Sequence, residues 1–128
     1  MLHLPVRSFW NASHAASLTP PFISQRIRFV RMSCDTLSML PVVIDAARNL
    51  VEAGIAPSRL WCYVLVQDVA TAHKICMTLD LWGITPFAQP YRDYDGGEPT
   101  EEQKHFARWV NCKQLFNSCS WAEYDRRR

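Results

Sequence analysis

A seven-residue apolar run, Leu60 to Val66, followed at once by a capped amphipathic stretch, limits this chain more than any other feature. The run, LWCYVLV, is rich in aromatic and β-branched residues and bounded by polar neighbours, which suits a strand buried on both faces of a parallel sheet. Asp68 stands where a helix N-cap belongs, its carboxylate placed to accept the free N–H groups of a first turn. Val69, Ala72, Ile75, Cys76, Leu79 and Trp82 then recur at helical spacing, and Gly83 follows as a left-handed stop. A second short strand over Ile84–Gln89 completes a βαβ unit, whose crossover is expected to be right-handed.

The flanking sequence extends the unit in both directions. Arg26 to Met32 reads as a more polar strand, with Ile27 and Phe29 on one face and Arg28 and Val30 on the other. A helix is expected from Ser38 to Ala53, with Pro41 in its first turn, Val42, Val43, Ala46, Ala47, Leu50 and Val51 as its buried stripe, and Gly54 at its end. The order β, α, β, α, β predicts an α/β fold with a parallel sheet and the Leu60 strand in the middle. After Tyr91 the polar stretch RDYDGGEP reads as a loop. Thr100 and Gln103 have capping-box spacing for a helix reaching about Leu115 and burying Phe106, Trp109 and Val110. Trp121 and Tyr124 are expected to pack back on that helix. Residues 1–25 carry no period and contain Pro20-Pro21, so they read as an irregular segment; 26–124 is the folded unit and 125–128 a basic tail.

Composition narrows the class. The chain has 128 residues, enough for one domain, and its formal charge of +2 is too small to argue for nucleic acid. No run approaches the length of a membrane span, and the amino-terminal stretch is interrupted by Pro5, Asn11, Ser13 and His14, unlike a signal peptide. An odd set of five cysteines inside apolar patterns fits reduced thiols and a cytoplasmic location, which would leave the Asn11-Ala12-Ser13 sequon unused. Cys112 and Cys119 are seven residues apart with no histidine between them, which fits no common zinc spacing; of the five thiols these two are the pair expected to approach each other. Cys34 ends a strand and reads as an inert small residue. The four histidines are scattered, and no serine elbow, P-loop or dinucleotide fingerprint is present. Polar groups instead gather where the strands should end: Asp35, Gln67 with Asp68, and Gln89 with Tyr91 and Arg92. In parallel α/β folds that carboxyl edge is where ligands bind.

Four blocks in order, CDTLSMLPVVIDAARNLVEAGI, LWCYVLVQDVATA, GITPFAQPYRDYDG and FARWVN-x8-SWAEY, resemble the C-terminal half of radical S-adenosylmethionine (radical SAM) proteins, over residues 26–124. The resemblance implies strands four to six of a partial (βα)6 TIM-like barrel with a C-terminal helix. It also implies a [4Fe–4S] cluster and S-adenosylmethionine as cofactors. By position it assigns cofactor contacts to Ser33 and Asp35 after the first strand, Gln67 after the second, and Gln89 to Tyr91 after the third. The family's C-x3-C-x2-C cluster loop has no counterpart here, and Gly96-Gly97-Glu98 lies after the last strand rather than at the family's Gly-Gly-Glu position. The resemblance therefore implies a truncated or split radical SAM protein, inert alone, completed by a separate N-terminal half-barrel chain or by self-association. The alternative is a non-enzymatic α/β interaction module that keeps only the scaffold.

Overall fold

The computed structural model describes residues 28–92 and 95–127. The expected irregular segment 1–25 lies outside them, as do Arg26 and Ile27 of the first expected strand. Three strands are present: β1 (Val30–Ser33), β2 (Leu60–Val66) and β3 (Thr85–Pro90). They form one parallel sheet in the order β1-β2-β3, so the Leu60 strand is central as its apolar run requires. Helix α1 (Leu40–Glu52), entered through a 3-10 turn at Leu37–Met39, connects β1 to β2; α2 (Val69–Leu81) connects β2 to β3. Gly54 and Gly83 take φ of 105° and 78° just past these helices, a conformation that disfavours any side chain.

Alternation along β2 separates two unlike faces. Leu60, Cys62, Val64 and Val66 are each fully buried, while Trp61, Tyr63 and Leu65 between them are half-buried. The expectation of a strand buried on both faces is corrected: the core lies on one side. There Leu40, Val43, Ala47 and Val51 of α1 and Val69, Ala72, Ile75, Cys76 and Leu79 of α2 are buried with the even-numbered β2 side chains. Of the expected α1 stripe, Val42 is 71% exposed and Ala46 is exposed, so the buried face is narrower than the pattern suggested. The other face carries two aromatic pairs packed edge to face, Phe29 on Trp61 and Tyr63 on Phe87, at 5.7 and 5.6 Å between centroids.

The C-terminal segment is three short helices, not the one expected to reach Leu115: α3 (Glu101–Asn111), α4 (Lys113–Ser118) and α5 (Trp121–Asp125). The Thr100–Gln103 capping box is formed, and Ser120 with Glu123 forms a second one at α5. Cys112, with extended backbone (φ −92°, ψ 102°), separates α3 from α4. The break frees two side chains for β3. Asn111 Oδ1 accepts from the Ala88 N–H at 2.8 Å and Asn111 Nδ2 donates to the Ala88 carbonyl at 2.9 Å, as a neighbouring strand would. Lys113 Nζ donates to the Pro86 carbonyl at 2.7 Å and the Val110 carbonyl at 2.9 Å. Pro86 and Pro90 have no N–H to offer. The outer edge of β3 is thus sealed.

Asn111→Ala should destabilise the fold by about 1–3 kcal/mol, since the Ala88 N–H and carbonyl lose their partners. Urea unfolding combined with hydrogen exchange at the Ala88 amide checks this. An unchanged midpoint with Ala88 still protected would contradict the edge-sealing role.

Candidate functional site at the carboxyl edge

Because the strands are parallel and in register, all three end on one edge. Ser33 pairs with Tyr63 and Tyr63 with Phe87; Leu65 pairs with Gln89 and Val66 with Pro90. The Tyr91 N–H reaches the Val66 carbonyl at 3.0 Å, which carries the ladder one residue past β3. Asp35, Gln67 and Tyr91 therefore lie just past the strand ends and Gln89 near the end of β3, while Ser33 is still inside β1, level with Tyr63 and Phe87; Tyr91 is half-buried and the others are exposed. By alternation, Ser33 and Gln89 share the open face with Tyr63, Leu65 and Phe87.

Several polar groups at this edge are already engaged in holding the fold. The Asp35 N–H points at Met39 Sδ at 3.4 Å, and the Gln67 carbonyl accepts from Gln103 Nε2 at 2.8 Å, tying the start of α3 to the end of β2. Asp68 is the N-cap of α2, its Oδ2 accepting the Thr71 hydroxyl at 2.6 Å and the Thr71 N–H at 3.0 Å. Those bonds, the hydroxyl first, hold its carboxyl below the usual range. Arg92 pairs with Glu98 at 3.0 Å across the loop, an exposed pair of little energetic weight. A depression of about 220 Å³, lined by Pro57, Ser58, Gly83 and Thr85, lies at the opposite, amino edge and holds no titratable group.

The thiols differ from expectation. Cys34, Cys62 and Cys76, from two strands and a helix, come close enough to influence one another's ionisation. Cys112 and Cys119, expected to be the approaching pair, are both half-buried. Topology explains the trio: Cys62 lies on the helix face of β2, Cys34 just beyond β1 on the same side, and Cys76 on the buried stripe of α2. Burial, then mutual repulsion, pushes Cys62 to about 12; burial pushes Cys76 to about 12 against the pull of Lys113, and Cys34 is raised too. Such thiols stay protonated, and they sit on the face opposite the open one. No group of three His, Cys, Asp or Glu among the described residues is arranged to hold a metal. The donor set therefore does not fit the [4Fe–4S] cluster that the resemblance implies, since cluster ligands must be clustered thiolates.

His73 packs its ring against Phe106 and Trp109, and burial lowers its pKa below 6.5. The folded chain then holds fewer protons than the unfolded one, so stability falls as pH drops below about 6.5 towards the lowered value. His73→Phe should flatten that slope in thermal melts recorded across this window. A parent melt independent of pH there would contradict the assignment.

Comparison with family models, curated proteins and solved structures gives no match for this chain. Among the described residues no helix is long and apolar enough to cross a membrane.

Proposed function

We propose that this chain is the cofactor-facing half of a split radical SAM-type barrel, inert alone and completed by a separate polypeptide that brings the cluster. The observation that carries this reading is the sheet: sequential parallel strands, one helix-covered face, one open face, and candidate contacts at or near the carboxyl ends of the strands. Consecutive strands in spatial order with right-handed crossovers put both connecting helices on one side, as in a barrel wall. In a closed barrel the other side would face the interior. Ser33, Asp35, Gln67, Gln89 and Tyr91 would hold S-adenosylmethionine through its polar groups, while the cluster ligands would come from the partner. The alternative, a non-enzymatic interaction module, is favoured by the aromatic pairs on the open face, which suit packing better than cofactor contacts.

Anaerobic reconstitution with iron and sulfide, then reductant and S-adenosylmethionine, should give no 5′-deoxyadenosine from the chain alone. Co-expression with an N-terminal half-barrel bearing C-x3-C-x2-C should restore cofactor binding, and Gln89→Lys should remove it. Near-stoichiometric iron with cofactor cleavage by the chain alone would overturn the proposal. A complex that forms but depends on Phe87 and not on Gln89 would favour the interaction module.

A further inference from the structure

The two edges of the sheet are finished differently. On β3 the outward groups of Pro86 and Ala88 are taken by Lys113 and Asn111. On β1 the Cys34 N–H points to β2, bonding the Tyr63 carbonyl at 2.8 Å, so alternation turns the N–H and carbonyl of Arg31 and Ser33 outward. No described residue bonds those outward groups. Arg28, Arg31 and Ser33 are exposed, and Phe29 is 50% exposed. Arg31 sits beside Trp61 in register, and the Trp61 indole N–H is shielded from solvent yet finds no acceptor among the described residues. Among the described residues this edge therefore presents unpaired main-chain groups and two cations, Arg28 and Arg31.

Charged side chains on an edge often serve to repel other strands. Here they discriminate instead. A second copy docking by its own β1 across a two-fold would bring the Arg28 and Arg31 charges of both chains together, which is unfavourable. Residues 1–27 contain no aspartate or glutamate and offer no counter-charge. A strand bearing carboxylates would be attracted.

We propose that β1 receives an extended, acidic segment of a separate polypeptide as a fourth strand, with a carboxylate beside Arg31 and an apolar side chain beside Phe29. Main-chain bonds to Arg31 and Ser33 supply affinity and the side-chain pattern supplies selection. The inference rests on the reading of the chain as a half that another polypeptide completes; it adds which edge is used and what charge the partner carries.

The test uses the full chain and labelled peptides of roughly ten residues, enough for one strand. One repeats valine-valine-glutamate-glutamate, so that valine and glutamate follow each other along each face, and the other carries lysine in place of glutamate; a single-stranded oligonucleotide of matching negative charge is the third probe. Fluorescence anisotropy should show the glutamate peptide binding at least ~5-fold more tightly than the lysine peptide, the scale of an exposed ion pair. Binding should slow exchange of the Arg31 and Ser33 amides. The double variant Arg28→Glu/Arg31→Glu, checked for folding by circular dichroism, should reverse the preference. Equal binding of both peptides overturns the acidic partner while leaving completion of the edge intact. Preferential binding of the oligonucleotide, or no binding of the glutamate peptide at about 1 mM, overturns the inference. If the Arg31 and Ser33 amides are already protected in the chain alone, the half-barrel reading falls with it.

Discussion

Trp109→Ala will abolish cooperative unfolding. Trp109 is 1% exposed and joins the C-terminal helices to one another: its ring lies 4.8 Å from Phe116, 5.8 Å from Phe106 and 5.9 Å from Trp121, centroid to centroid. Its indole N–H donates to the Cys119 carbonyl at 3.1 Å, fixing the turn between α4 and α5. Truncation removes the ring from all three contacts and leaves a cavity that short helices cannot fill, a loss of about 3–5 kcal/mol. A domain of this size has about 5–15 kcal/mol in total, and one with an open sheet face sits low in that range. Thermal denaturation followed by near-ultraviolet circular dichroism should show a broad, early transition. Trp109→Phe should keep a sigmoidal melt, since it retains most of the packing and loses mainly the hydrogen bond. An alanine variant melting within about two degrees of the parent, a fraction of a kcal/mol for a domain this size, would contradict the placement.

Val64→Asp and Leu65→Asp should differ sharply although the residues are adjacent. Val64 is 0% exposed on the helix face within the apolar cluster, so burying a carboxylate there costs at least several kcal/mol. Val64→Asp should not fold. Leu65 is half-buried on the open face beside the exposed Gln89, where a carboxylate keeps contact with water. Leu65→Asp should fold with a modest loss. Far-ultraviolet circular dichroism of the two variants decides. Unfolding of both would mean that the second face is as enclosed as the first.

The helix–strand grammar of residues 60–91 was legible because each signal is local. Periodicity, the Asp68 cap and the glycines at 54 and 83 act within a few residues, and tertiary packing agrees with them. What was not legible depends on distant partners. The break at Cys112 has no local breaker; it exists because Asn111 and Lys113 are committed to β3, more than twenty residues back in the chain. Pro86 and Pro90, at the same parity in one short strand, were the available signal that this strand closes an edge. The one-sided burial was hidden for a different reason. Trp61, Tyr63 and Phe87 read as core in any apolar run, yet here aromatic pairs shelter one another on an open face. The thiol trio is not legible in the sequence because its members, from two strands and a helix, meet only through the packing of α2 on the sheet. At the carboxyl edge, Asp35, Gln67 and Tyr91 fall just past strand ends as the sequence suggested, whereas Ser33 and Gln89, assigned by the resemblance to positions after their strands, lie within β1 and β3. Their chemical role does not follow from position; for Asp68, in the same row, the cap expected from the sequence is what forms.

The account turns on β1 being an edge left open for another polypeptide. Site-resolved hydrogen exchange on the isolated chain tests this directly. The Ala88 amide, held by Asn111, and the Cys34 amide, held by Tyr63, should be protected, while the outward amides of Arg31 and Ser33 exchange at close to unfolded-chain rates. Protection of Arg31 and Ser33 equal to that of Cys34 would show the edge already paired and contradict the account.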